Sequence, residues 1–214
     1  MSDKAHPAQL RKLRFAIRVA EVHLPPHLPP LFALTDPRRT PDPIKLALAL
    51  PNGSGLIYRH FGEASRAKIA FNLAKIARRK HLSLLIGNDP QLALKVRAAG
   101  VHWPEARLHE ARKWRSRFCL MTGAAHTRRA LAQAAQTGLD GALLSTVFNS
   151  KSPSAKAPMG AHKFRQLAAN SPLPVYALGG VNAETAGKIS KTGGMAMIGG
   201  INKALLHAES APRI

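Results

Sequence analysis

Residues 174–200 read PVYALGGVNAETAGKISKTGGMAMIGG. Twice within this stretch a short apolar run ends in two glycines, at Gly179-Gly180 and at Gly199-Gly200. After the first pair, Asn182 supplies a helix cap and a helical pattern follows. A strand that stops at glycines and hands over to a helix is the unit of a parallel α/β protein.

The same rhythm runs back through the chain. β-like runs occur at 31–36 (LFALTD), 55–61 (GLIYRHF), 82–87 (LSLLIG), 100–103 (GVHW), 118–123 (FCLMTG) and 141–148 (GALLSTVF). Stretches of helical spacing separate them, among them 64–80, 89–99, 127–137 and 160–170. The strands are almost continuously apolar, as a parallel sheet covered on both faces requires. With the two runs of the opening stretch they make eight strands. The expected fold is therefore α/β, a single (β/α)8 TIM barrel over 31–214, with a doubly wound open sheet as the alternative. Residues 1–30 stand apart as a basic helical extension. Leu10, Leu13, Ile17 and Ala20 share one helical face, and the Pro-rich connector HLPPHLPP at 23–30 ends it.

Composition narrows the function classes. Thirty-two Lys and Arg against eleven Asp and Glu give a net charge of +21. That balance suits phosphorylated small molecules, nucleic acid or an anionic surface, and equally a solvated basic exterior. Few aromatics and no nucleic-acid motif make nucleic acid the weaker partner. One cysteine, Cys119, excludes an intramolecular disulfide framework; it falls in an expected strand and reads as core. No apolar run approaches a membrane span, and there is no apolar leader segment, so a cytoplasmic location is expected. Zinc-ligand spacing, a Walker loop and a serine triad are all missing from the pattern. A homo-oligomer is left open.

In a barrel the chemistry sits at the C-terminal ends of the strands. That rule selects Asp36, Arg59, His60, Asn88, Asp89, His102, His126, Lys151 and the two glycine pairs. Loops after strands seven and eight often hold phosphate, and Gly179, Gly180, Gly199 and Gly200 let backbone donors approach an anion closely; tight turns are the alternative. Arg59 suits bidentate phosphate contact or a salt bridge across the mouth. In the loop after strand six, Lys151 lies between Ser150 and Ser152 as an anion clamp or a surface segment. Asp89 suits a helix cap or a hydrated Mg2+. His60, His102 and His126 are the candidate acids or bases, with structural roles as the alternative.

Taken in order, LFALTD, IYRHFG, LLIGNDPQLALKVRAAGVHW, GAAHT, LLSTVFNSKSPSAKAPMG and the opening stretch resemble the thiamine phosphate synthase and TenI-type thiazole tautomerase superfamily, over about residues 31–205. The resemblance implies a (β/α)8 barrel. It also implies a transferase that joins a hydroxymethylpyrimidine diphosphate to a thiazole phosphate and expels pyrophosphate. Carried over position by position, it gives Arg59, Asn88 and Lys151 to the diphosphate and Asp89 to Mg2+. Gly180 and Gly199-Gly200 go to the thiazole phosphate. Catalytic roles fall to Arg59, Lys151 and His126.

The departures are specific. Ile57 and Phe61 replace the outer two members of a Gln-x-Arg-x-Lys strand. Arg107 stands where the second Mg2+ aspartate is expected, and its head either replaces the metal's charge or points to solvent. Ala124 replaces a serine two residues before His126. Thr146 replaces a proline where the tautomerase branch can carry a catalytic histidine. The competing expectations are thus a synthase with a partly degenerate diphosphate pocket, a thiazole tautomerase, and a catalytically silent phosphate-binding barrel with a regulatory or nucleic-acid role.

Overall fold

The computed structural model describes residues 5–150, 152 and 155–205. Eight strands close into one barrel in sequence order, with β8 returning to β1. They are β1 Leu31–Leu34, β2 Gly55–Tyr58, β3 Ser83–Gly87, β4 Gly100–Trp103, β5 Leu120–Ala125, β6 Gly141–Leu144, β7 Val175–Ala177 and β8 Gly194–Met197. Every neighbouring pair is parallel. Residues of β1, β2, β4, β6 and β8 are buried throughout, because one face fills the barrel and the other meets helices. The expected (β/α)8 barrel is the observed fold.

The outer layer is α2 Pro43–Ala49, α3 Arg66–Arg79, α4 Pro90–Val96, α5 Arg128–Gln136, α6 Gly160–Ala169, α7 Ala183–Ala186 and α8 Gly199–Leu205. Their starts are set locally. Asp42, Asp89 and Thr127 each accept the backbone N–H three residues on, and Asn182 forms a reciprocal capping box with Thr185. After β4 the chain forms a 3₁₀ segment, Glu105–Arg117, with non-helical backbone at Arg107. Only Leu108 and Ala111 are buried there; EARLHEARKWRSR offers no apolar stripe for an α-helix to lay on the barrel.

Two boundaries differ from expectation. The sequence suggests β5 at 118–123, yet it runs from Leu120 to Ala125, and Cys119 just before it is exposed. Reading that cysteine as core is therefore corrected: it lies outside the paired strand. Similarly, β6 stops at Leu144, but Val147 and Phe148 still donate to the carbonyls of Leu178 and Gly179, both at 2.9 Å. The segment expected as strand is extended chain bonded to the β7 loop.

Aromatic rings fill one layer of the barrel. Phe32 and Tyr176 meet edge to face at 4.9 Å between centroids. A Cβ on Gly55 would lie 2.1 Å from the Phe32 ring, and one on Gly194 2.2 Å from the Tyr176 ring. Glycines in the adjoining strands thus make room for the rings. The Tyr176 hydroxyl donates to the Pro29 carbonyl at 2.9 Å, anchoring the connector that follows helix α1, Ala5–His23. Helix α1 buries Leu13, Ala16, Ile17 and Ala20 in the same hydrophobic core as the barrel. Its Lys12 reaches Glu184 of α7 at 2.5 Å. Each buried leucine or isoleucine there contributes about 1.5–3 kcal/mol, far more than the exposed ion pair. Among the described residues, no helix is long and apolar enough to cross a membrane.

Candidate active site

Two groups of residues lie at the C-terminal mouth of the barrel. The first is built on β1 to β4. Thr35 and Asp36 follow β1, and Thr35 receives Arg59 twice: its Oγ1 accepts the backbone N–H at 2.9 Å and its carbonyl accepts Nε–H at 3.3 Å. Asp36 accepts from Arg39 Nη2 at 3.0 Å and stands 3.8 Å from Arg59 Nη2. The Arg39 guanidinium, aided by the backbone N–H groups of Arg39 and Arg38 and opposed by partial burial, holds the Asp36 carboxyl down at about 2. Burial lowers the pKa of Arg59, Asp36 opposes that shift, and Arg39 adds to it. Arg59 remains a cation, because an arginine starts so far above neutrality.

Beside it, Asn88 follows β3 with a left-handed backbone (φ 54°), and its Oδ1 accepts from Arg107 Nη1 at 2.7 Å. Arg107 thus reaches the end of β3 while staying partly exposed, with Glu110 gripping its other nitrogens at 2.5 and 2.6 Å. Asp89 uses one oxygen to cap α4 through Leu92 N–H at 2.9 Å and the other to meet Arg66 Nη1 at 2.5 Å.

That arrangement decides how Mg2+ fits. A hard divalent cation needs several oxygen ligands and net negative charge. Here both oxygens of Asp89 are engaged, a guanidinium neutralises it, and a second guanidinium occupies Asn88 next door. Among the described residues no three His, Cys, Asp or Glu side chains converge as a metal site. The residues present do not fit the resident Mg2+ that the sequence suggests at Asp89.

The second group is built on β6 to β8. Gly179 and Gly180 both have positive φ, at 91° and 65°. A Cβ on Gly180 would lie 2.3 Å from the Asn149 carbonyl oxygen, and one on Gly200 2.6 Å from the Val181 carbonyl oxygen. The glycines are thus what lets the β6, β7 and β8 loops stack on one another, leaving all four partly exposed at the mouth. Arg39 reaches over from the β1 loop: its Cδ lies 4.0 Å from where a Cβ on Gly199 would be. Ser150 and Ser152 are half-buried in the β6 loop, with Ser150 Oγ accepting from Ser152 N–H at 3.3 Å. Lys151 lies outside the described residues.

The histidines separate by environment. His102 is buried, pairs through Nδ1 with Thr122 Oγ1 at 2.9 Å, and is pushed down to about 3 by burial and then by the Arg59 charge. It is a neutral imidazole at any physiological pH. His126 is a third exposed and sits 2.6 Å through Nδ1 from Glu105, a carboxylate that orients the ring. His60 is buried against Tyr58, with Nδ1 3.3 Å from Glu63 and no hydrogen-bond partner for Nε2.

Arg59 and Asn88 therefore meet at the ends of β2 and β3, and the four glycines follow β7 and β8. Four residues in this arrangement were not selected from the sequence: Thr35, Arg39, Arg66 and Glu105. Arg39 follows β1 in PRRT and Glu105 follows GVHW, so strand-end position was an available signal for both. Arg66 opens a helix and carries no such signal.

A family model described as thiamine monophosphate synthase matches residues 36–201. The chain belongs to that family. Its relatives include a thiamine-phosphate synthase of Marinobacter nauticus, 30% identical over 183 residues, covering 81% of this chain and 82% of the relative. A putative thiamine-phosphate synthase 2 of Aquifex aeolicus is 26% identical over 178 residues, covering 80% of this chain and 96% of the relative. Among solved structures, the thiamine phosphate pyrophosphorylase from Pyrococcus furiosus superposes with a TM-score of 0.69 at 21% identity. It covers 81% of this chain and 92% of its own, a likeness of fold. Family membership accounts for the order of the motifs along the barrel.

Proposed function

We propose that this chain is a transferase of thiamine biosynthesis, joining hydroxymethylpyrimidine diphosphate to thiazole phosphate. The observation that carries the reading is that the Arg59–Asn88 corner and the glycine loops after β7 and β8 lie at one barrel mouth. The Arg59–Asn88 side takes the diphosphate, and Lys151, Ser150 and Ser152 are further candidate ligands for it. The glycine loops, joined by Arg39, take the thiazole phosphate through backbone N–H groups. Two phosphorylated substrates so held bring the pyrimidine methylene and the thiazole nitrogen together.

In this reading the C–O bond to the diphosphate breaks as charge develops on the methylene, pyrophosphate leaves with the bonding pair, and the thiazole nitrogen forms the new C–N bond. Arg59 stabilises the departing oxygens; removing one well-placed donor of this kind costs about 10²–10³ in rate.

The His126–Glu105 pair favours a second reading, a thiazole tautomerase in which an oriented imidazole moves a proton on the thiazole ring. Calorimetry separates the two. The synthase reading expects binding of thiazole phosphate and, separately, of the pyrimidine diphosphate. Binding of thiazole phosphate alone, with proton exchange on its ring abolished by His126→Gln, would establish the tautomerase reading and overturn the first.

A further inference from the structure

The residues expected to hold Mg2+ do not suit it, yet the same spot gathers positive charge from three different elements. Gly87, Asn88 and Asp89 at the end of β3 are the meeting point. The Arg59 side chain passes over Gly87, its Cγ 3.1 Å from where a Cβ would stand. Arg66, the first residue of α3, donates from Nη2 to the Gly87 carbonyl at 3.1 Å and from Nη1 to Asp89 at 2.5 Å. Arg107, at the irregular point of the 3₁₀ segment, donates to Asn88 at 2.7 Å. Both new arginines rest on aromatic rings, Arg66 over Phe61 at 5.4 Å and Arg107 over Trp103 at 5.9 Å.

Phe61 is informative. The resemblance implies a lysine at this position, just beyond the end of β2 at Tyr58. The Phe61 ring supports the guanidinium of Arg66, which brings a positive charge to the same corner from a neighbouring helix. Arg107 likewise puts a positive charge where the pattern has a carboxylate. The corner thus holds two guanidinium groups beside Asn88 and Asp89.

We propose that Arg59, Arg66 and Arg107 form a metal-independent diphosphate site, in which guanidinium groups do what a divalent ion would otherwise do. The identity of the ligand as the diphosphate of a substrate rests on the synthase reading; the metal independence does not. Without ligand, the three cations are held by Asp36, Asp89 and Glu110 in partly exposed pairs. The Arg59–Asp36 pair is long, at 3.8 Å, and a phosphate oxygen displaces it most readily, whereas the two-point Arg107–Glu110 pair has to open for Arg107 to take part.

The test is calorimetric titration of the full chain with inorganic pyrophosphate, once with EDTA and once with millimolar Mg2+. Binding is expected with EDTA, and Mg2+ is expected to weaken it by complexing the pyrophosphate. Arg66→Ala and Arg107→Ala each weaken binding about tenfold in EDTA. Arg107→Asp weakens it further in EDTA and makes Mg2+ stimulatory. Arg128→Ala, on the exposed face of α5, leaves binding unchanged and guards against general attraction to a basic surface. Arg107→Gln serves as a second variant, with melting curves showing that each protein is folded. Binding only with Mg2+, no binding in either buffer, no effect of Arg107→Ala, or an equal effect of Arg128→Ala would each overturn the proposal. Metal-dependent pyrophosphate binding alongside product formation would sink it and leave the synthase reading standing. Binding in EDTA without any coupling of the two substrates would do the reverse.

Discussion

Replacing Gly180 by alanine puts a methyl group 2.3 Å from the Asn149 carbonyl oxygen and 2.7 Å from the carbonyl carbon and Cβ of Phe148. Two of these contacts are backbone, so no side chain can swing aside to relieve them. The position also has φ of 65°, which costs a residue with a Cβ about 1–2 kcal/mol. Forcing a methyl group into a packed contact adds about 1–3 kcal/mol. Together these predict a loss of about 2–5 kcal/mol, or about 5–15 °C in melting temperature for a chain of this size. Because the clash pushes the β6 loop away from the β7 loop, thiazole-phosphate affinity falls with it. Gly199→Ala is the matched control. Its nearest neighbour is Arg39 Cδ at 4.0 Å and its φ is not positive, so its melting temperature stays within about 2 °C of wild type. Its methyl group nevertheless stands at the mouth, and thiazole-phosphate binding weakens about tenfold, the loss of roughly one charge-assisted hydrogen bond. Scanning calorimetry and ligand titration of both variants check this. Equal melting temperatures for Gly180→Ala and wild type would refute the packing argument, and unchanged affinity in both variants would refute the cradle.

Further outcomes follow from the same contacts. His102 ionises at about 3 in the folded chain against an ordinary value of 6.5, so the unfolded chain binds more protons between those limits. Stability is therefore complete above about pH 7 and is lost as pH falls toward 3; melting curves across that range should show a shallower acid loss for His102→Gln, and parallel curves would contradict it. The Asp36 contribution disappears only below the unfolded carboxylate range, as pH falls from about 4 toward 2, because its folded value is about 2. Native protein should react with one equivalent of a thiol reagent within minutes at Cys119, since that thiol is exposed; slow labelling would return it to the core. Tyr176→Phe removes the donor to Pro29 and should lower stability by about 1 kcal/mol, read by urea melting, whereas Phe32→Ala should cost about 3–5 kcal/mol.

Much of the barrel was legible because its information is local. Runs such as LFAL and GALL read as buried strands because they recur between helical stretches, whereas the equally apolar LALA at 46–49 lies in α2, and the Asp89, Thr127 and Asn182 caps announce their helices. What escaped was long-range. Cys119 sits in an apolar run, and only the start of pairing at Leu120 shows that it lies outside the strand. The same limit applied to the site. Asp89 followed by proline is compatible with a cap or a metal ligand, and the choice depends on Arg66, 23 residues away. Arg107 was noticed as a substitution, but its direction depends on the kink that brings it to Asn88. The glycine pairs at 179–180 and 199–200 are plain in the sequence; that Gly179, Gly180 and Gly200 pack the loops together shows only in the distances a Cβ would make.

The most direct measurement is to incubate the purified chain with hydroxymethylpyrimidine diphosphate and thiazole phosphate, with and without chelator, and to follow thiamine phosphate and pyrophosphate together. The account predicts equal amounts of the two products, with a loss of about 10²–10³ in rate for Arg59→Ala. No thiamine phosphate under either condition, from protein that is folded, would contradict it.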